Sequence, residues 1–132
     1  MTQKNIDVMD IIVNKMVDGT KLSKALEVVY EKRRVCIPYK EENFNVPVLD
    51  LNMSNRTANA LMRARLRTLG DIINFCKEHK ITEAATLGKS SGTEIFETIL
   101  DYCWNCMDEK ERISFLIDTV ERNEKYIRAE II

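Results

Sequence analysis

A chain of 132 residues, 45% apolar and 31% charged, suits one ordinary domain or two very small ones, and 4 Gly and 2 Pro exclude collagen-like or linker-like chains. The net charge of −1 excludes a generally basic, nucleic-acid-coating protein. The longest uncharged apolar run, Ile11-Ile12-Val13, is too short to cross a bilayer. The opening Met1-Thr2-Gln3-Lys4-Asn5 leads straight to Asp7 and Asp10 and does not read as a signal peptide, and four Cys and six Met point to the reducing cytoplasm. One His and no Gly-rich phosphate loop leave little catalytic material, so neither an enzyme nor a cofactor is expected. The near-zero charge hides an asymmetry. Residues 51–70 carry Arg56, Arg63, Arg65 and Arg67 with no acid, whereas residues 71–132 hold 8 basic against 13 acidic residues.

Taken in order, Ile6, Met9, Ile12, Val13, Met16 and Val17 recur at helical spacing and predict a helix over 5–17. Asp18-Gly19 ends it, with Gly19 as a left-handed C-terminal residue. Thr20 is expected to cap a second helix with the stripe Leu22, Ala25, Leu26, Val29 and Tyr30 and a last turn at Lys32-Arg33-Arg34. This pair also admits a helix-turn-helix, a dimerisation role or simple packing. Val35-Cys36-Ile37 reads as a short extended segment ended by Pro38, and residues 39–47 as a domain boundary.

Beyond that boundary every segment reads as helix. Ser54 caps a helix to about Leu66, with Ala58, Leu61, Met62 and Leu66 inward, and Thr68 caps another to about Lys77, with Leu69, Ile72, Ile73 and Cys76 inward. A loose stretch from Ile81 to Leu87 closes at Gly88-Lys89-Ser90-Ser91-Gly92. Thr93 then opens a helix bearing Ile95, Phe96, Ile99, Leu100, Cys103 and Met107. Asp108 and Glu111 have capping-box spacing and open a last helix with Ile113, Leu116, Ile117, Val120 and Ile127 on one side. The expected fold is mainly α. Its units are an N-terminal helical pair with a short extended segment (1–46), a central unit (47–107) and a C-terminal helical extension (108–132).

Three constellations offer chemistry. Cys103-Trp104-Asn105-Cys106 is a C-x-x-C, but both cysteines lie deep in a helix instead of at its N-terminus, where the dipole would activate a thiol. Cys76, His79, Cys103 and Cys106 could supply four tetrahedral zinc ligands, yet apolar positions make core packing the favoured reading and no metal is expected. His79 itself reads as a C-terminal cap. The third constellation pairs two elements. Arg56 and Asn59, three apart, share a face at the start of the Ser54-capped helix. The turn Gly88-Lys89-Ser90-Ser91 leads into another helix, where free N–H groups, hydroxyls and a Lys suit a phosphate, although the spacing is not that of a P-loop.

The stretch Val48-Leu49-Asp50-Leu51-Asn52-Met53-Ser54-Asn55-Arg56-Thr57-Ala58-Asn59-Ala60-Leu61-Met62-Arg63-Ala64 resembles the C-terminal domain of the bacterial RNA polymerase α subunit. So do Thr68-Leu69-Gly70-Asp71-Ile72 and Leu87-Gly88-Lys89-Ser90-Ser91-Gly92-Thr93-Glu94-Ile95. Three ordered blocks over 47–100 are more specific than any one. The resemblance implies a compact helical domain, related to helix-hairpin-helix modules, that binds the minor groove of A/T-rich DNA. It implies that Arg56 enters the groove, that Asn59 contacts the backbone nearby, that Gly88 and Ser91 approach phosphates, and that Glu94 orders this surface. Lys89 and Ser90 belong to the same turn, and Arg63, Arg65 and Arg67 are candidates for further phosphate contacts.

The sequence departs from the family pattern in five ways, one being that residues 101–132 extend well past the family's end. Ser90 stands where the family usually has a second Lys, and Gly92 where it has an apolar residue. The connector before Leu87 is slightly longer, and residues 1–46 are not the large assembly domain of a polymerase α subunit. The expectation is therefore an α-C-terminal-like domain in another context, in a bacterial or mobile-element regulator. Its expected partner is double-stranded DNA, with a homodimer through the flanking helices and RNA polymerase or a sigma factor as further partners, and no membrane. The alternative is an adaptor that mimics the α domain to bind polymerase, a sigma factor or an activator, which the acidic second half and the missing Lys favour.

Overall fold

A computed structural model describes residues 1–31, 35–84 and 87–131. The elements in order are α1 (Gln3–Val17), α2 (Leu22–Val29), α3 (Asn55–Arg63), α4 (Leu69–Cys76), α5 (Lys89–Asn105) and α6 (Glu109–Arg122), with short 3₁₀ turns between them. Among the described residues there is no strand, only the isolated bridges Tyr30–Ile127 and Pro47–Thr68, so the protein is mainly α. No helix among them is long and apolar enough to cross a membrane. The fold divides into two compact units, one made of Met1–Pro38 with Trp104–Ile132 and one made of Tyr39–Cys103. The two terminal helical segments thus share a unit.

In the terminal unit, Thr2 caps α1 by accepting from the Asn5 N–H, and Gly19 ends it at φ +98°, a conformation that costs any side chain strain. The buried face of α1 is Asn5, Val8 and Ile12. This corrects the expected stripe, for Ile6 and Val13 are 38% exposed and Val17 79%. Of the expected stripe Ile12 is buried and Met9 and Met16 are half-buried, because the packing partner meets the neighbouring line of Asn5, Val8 and Ile12. The α2 stripe Leu22, Ala25, Leu26, Val29 and Tyr30 is buried as expected, but Lys21, without a side-chain cap bond, starts the helix in place of Thr20. The helix ends at Val29 because Tyr30 turns extended to bridge Ile127; the Lys32-Arg33-Arg34 turn lies outside the described residues.

Val35-Cys36-Ile37 forms no strand. Instead the Cys36 backbone is held by buried Asn123, whose Oδ1 accepts from the Cys36 N–H at 2.6 Å and whose Nδ2 donates to its carbonyl at 2.8 Å. The α6 capping box of Asp108 and Glu111 forms as its spacing indicates. The helix stops at Arg122 and buries Phe115, Leu116, Thr119 and Val120; Ile113 is 49% exposed, and Ile127 is buried from beyond the helix end.

In the central unit, Ser54 caps α3 and Thr68 caps α4, the latter in a reciprocal capping box with Asp71. The α3 helix ends three residues before the expected Leu66, because Arg65 turns left-handed at φ +64° and the Leu66 N–H bonds back to the Leu61 carbonyl. Residues 44–48 run antiparallel to 67–70: Val48 N–H donates to Arg67 O, Leu69 N–H to Val46 O and Gly70 N–H to Phe44 O. That pairing fixes the α3–α4 hairpin. It also brings Phe44 so close that a Cβ on Gly70 would lie 2.8 Å from the Phe44 Cβ and carbonyl oxygen. Gly70→Ala is therefore expected to destabilise the protein by about 1–3 kcal/mol through overpacking, read as a fall in the denaturant midpoint.

Candidate nucleic-acid interface

The Ser54-x-x-Thr57 start of α3 has the spacing of a capping box but no acid at its third position, and no acid in its first turn. The missing carboxylate comes from α5. Glu94 accepts from the Ser54 N–H at 2.6 Å through one oxygen, while its other oxygen takes the Thr57 hydroxyl and lies 3.0 Å from Ser54 Oγ. Partial burial by itself would raise the Glu94 pKa, but the Thr57 hydroxyl and the Ser54 N–H and hydroxyl outweigh it and hold the carboxyl below its ordinary value. The Thr57 Oγ1 also lies 3.5 Å from Ser91 Oγ. One carboxylate thus ties the N-terminal ends of two helices together.

This clasp brings the two sequence-predicted elements side by side. Arg56 and Asn59 are exposed on α3, and Arg63, seven residues on from Arg56, shares their face two turns along. Gly88, Lys89 and Ser90 are exposed at the start of α5, and Ser91 is half-buried. Arg65 and Arg67 are exposed in the loop between α3 and α4. Arg65 occupies the left-handed position where Gly is usual, so an L side chain is kept there at some backbone cost.

One expectation about this turn is corrected. The stretch Gly88–Gly92 is not a loop before a helix starting at Thr93, because α5 begins at Lys89 and the Gly92 N–H bonds to the Gly88 carbonyl. Lys89, Ser90 and Ser91 are therefore the first helical turn. Neither α3 nor α5 has an acid of its own in that turn; Glu94 compensates the α3 N-terminus, so it is α5 that presents the partial positive charge of its N-terminal amides.

Sequence reasoning missed Thr57, which is 2% exposed and donates to Glu94, and assigned Ser54 a capping role alone. The available signal was the incomplete capping box itself, which needs an acid from elsewhere. The cysteines and the histidine do not gather: among the described residues no three His, Cys, Asp or Glu side chains are placed to hold a metal. Cys103 is buried, whereas Cys76, expected inward, is exposed, as is Cys106. The His79 ring stacks on Phe75 at 4.9 Å and its Nδ1 faces Glu83 at 3.3 Å, a local arrangement rather than a helix cap.

Fold and site together define the central unit as a small all-α module that presents an arginine-bearing helix face beside two helix N-termini. Residues 37–101 match the family of the C-terminal domain of the bacterial RNA polymerase alpha subunit, and that segment is alpha-C-terminal-domain-like. The chain is similar to the alpha subunits of DNA-directed RNA polymerase from Trieres chinensis, at 30% identity over 67% of this chain and 26% of the relative. The alpha subunit from Thalassiosira pseudonana is likewise 30% identical, over 68% of this chain and 28% of the relative. That of Dehalococcoides mccartyi (strain CBDB1) is 27% identical over 88% of this chain and 34% of the relative. The chain thus spans about a quarter to a third of the length of these curated relatives. No solved structure matches it.

Proposed function

We propose that this protein is a transcription-related regulator that binds double-stranded DNA through its central unit, with Arg56 entering the minor groove of A/T-rich sequence. The observation that carries the reading is the Glu94 clasp, which holds the Arg56–Asn59 face beside the α5 N-terminus. The match of residues 37–101 to the polymerase alpha C-terminal family supports a role in DNA binding or polymerase contact. A narrow A/T groove concentrates negative potential, and an exposed guanidinium is the side chain best suited to it. In this reading the Lys89, Ser90 and Ser91 turn, with Gly88 leaving room for close approach, fixes an adjacent phosphate. Asn59 reaches the neighbouring backbone, and Arg63, Arg65 and Arg67 add phosphate contacts along the same strand.

The test is fluorescence anisotropy on an A/T-rich and a G/C-rich duplex at two salt concentrations. Salt-sensitive binding with A/T preference supports the mechanism, and absence of binding at micromolar protein in low salt overturns it. The exposed Ser90, where the family usually has Lys, supplies a gain-of-function test. Ser90→Lys is expected to tighten DNA binding and steepen the salt dependence by about one unit of slope.

A second reading, an adaptor that contacts polymerase or a sigma factor, is favoured by the acidic residues 71–132 and by the same missing Lys. It predicts co-purification with polymerase that survives removal of Arg56.

A further inference from the structure

We propose that Asn55 is a second reader of the minor groove, its carboxamide hydrogen-bonding the base edges beside the step that Arg56 enters. The inference rests on the DNA reading and goes beyond it by naming the residue that sets which base pair is accepted next to the arginine. Helix α3 exposes four side chains, Asn55, Arg56, Asn59 and Arg63. At about 3.6 residues per turn they fall within roughly 100° of arc, with Asn55 and Arg56 at its two edges and Asn59 and Arg63 between. No acid interrupts this face, and none of the four side chains makes a hydrogen bond or ion pair among the described residues.

The choice of asparagine points to a ligand. Stability gives no reason for amides on this face: asparagine is a poor helix former, and the α3 cap is already made by Ser54, Thr57 and Glu94. A face that needed only solubility would be served by lysine or glutamate, which favour the helix. A carboxamide carries both a donor and an acceptor, whereas a guanidinium has donors alone. In the minor groove an A·T pair offers only the acceptors A N3 and T O2, and a G·C pair adds the guanine amino donor. Asn55 can therefore donate from Nδ2 to an A·T pair or accept the guanine amino group on Oδ1, as Arg56 cannot. Consecutive Cα atoms stand about 3.8 Å apart and stacked base pairs about 3.4 Å, so residues 55 and 56 suit neighbouring steps. The consequence is a strict A·T requirement at Arg56 and a tolerated G·C pair beside it.

The test is fluorescence anisotropy of the whole chain on an A/T-rich duplex in which a single G·C pair is moved one position at a time. Inosine·C is the control, because it lacks the amino group in the minor groove. The wild type is expected to lose roughly tenfold with G·C at one step and no more than about threefold at the step beside it, with inosine·C behaving as A·T at both. Asn55→Asp leaves acceptors only. It is expected to swing the ratio of G·C to A·T affinity at the tolerant step by roughly fivefold towards G·C, and to leave the ratio of inosine·C to A·T where it was. Repulsion between the new carboxylate and the phosphates acts on every duplex alike and cancels in these ratios. An acid at the first helical position suits the dipole, so helicity by circular dichroism is kept. A G·C ratio unmoved in Asn55→Asp, or G·C and inosine·C that bind alike, would overturn the inference while the role of Arg56 stands. Wild-type binding indifferent to Arg56→Ala would overturn both.

Discussion

Arg56→Ala is expected to weaken binding to an A/T-rich duplex by roughly tenfold or more, about 1.4 kcal/mol, and to bring A/T and G/C affinities together. The side chain is exposed at the first turn of α3, while the caps that hold this turn belong to Ser54 and Thr57 and to Glu94. Its removal should therefore change stability by no more than about 0.5 kcal/mol, so lost affinity can be assigned to the contact itself. Arg56→Lys sharpens the test. Lysine keeps the charge and the salt dependence, but its ammonium holds its water more tightly, so A/T preference should fall more than affinity does. Equal affinity for both duplexes in the wild type, or binding unchanged in Arg56→Ala, would sink groove insertion.

Glu94→Gln separates positioning from charge. Deleting an acid beside the proposed phosphate-binding turn removes repulsion, so electrostatics alone predicts tighter DNA binding. The clasp predicts the reverse: the amide accepts less strongly from Ser54 and Thr57, the α3 and α5 N-termini lose their common anchor, and affinity falls several-fold. Stability should fall with it by about 1–2 kcal/mol, the usual scale for a charged cap, discounted because the carboxylate is only partly buried.

The acid limb follows from the same bonds. The folded Glu94 pKa lies below its ordinary value of 4.5. Its contribution is thus complete above that value and is lost as pH falls through the lower, folded-state pKa. In urea titrations below about pH 4.5 the wild type should lose more stability than Glu94→Gln, so the two curves converge in acid. Parallel curves would remove Glu94 from this role.

Much of the fold is legible along the sequence because its determinants are local. The caps at Ser54 and Thr68 and the Asp108/Glu111 box depend on residues three apart, and Gly19 on one backbone angle; each forms where the spacing indicates. Local reading fails where a distant partner decides. Gly and Ser favour turns, which points to Thr93 as the start of α5, yet Lys89-Ser90-Ser91-Gly92 forms the first helical turn there, in the helix that supplies Glu94 to the α3 cap. Cys76 fits an apolar stripe but stands exposed as the last residue of α4, where burial depends on what the rest of the fold lays over that turn.

The sequence by itself determined the helical class, the family resemblance and the pairing of an arginine helix with a serine-rich turn, since composition, spacing and capping chemistry act over a few residues. Only the tertiary structure decided that Glu94 completes the α3 cap across 40 positions of sequence. It likewise decided which line of residues along α1 is buried. The physical reason is common to both. A hydrogen bond or a buried face is worth its free energy only when its partner is present, and that partner is set by the path of the whole polypeptide rather than by any local run of residues.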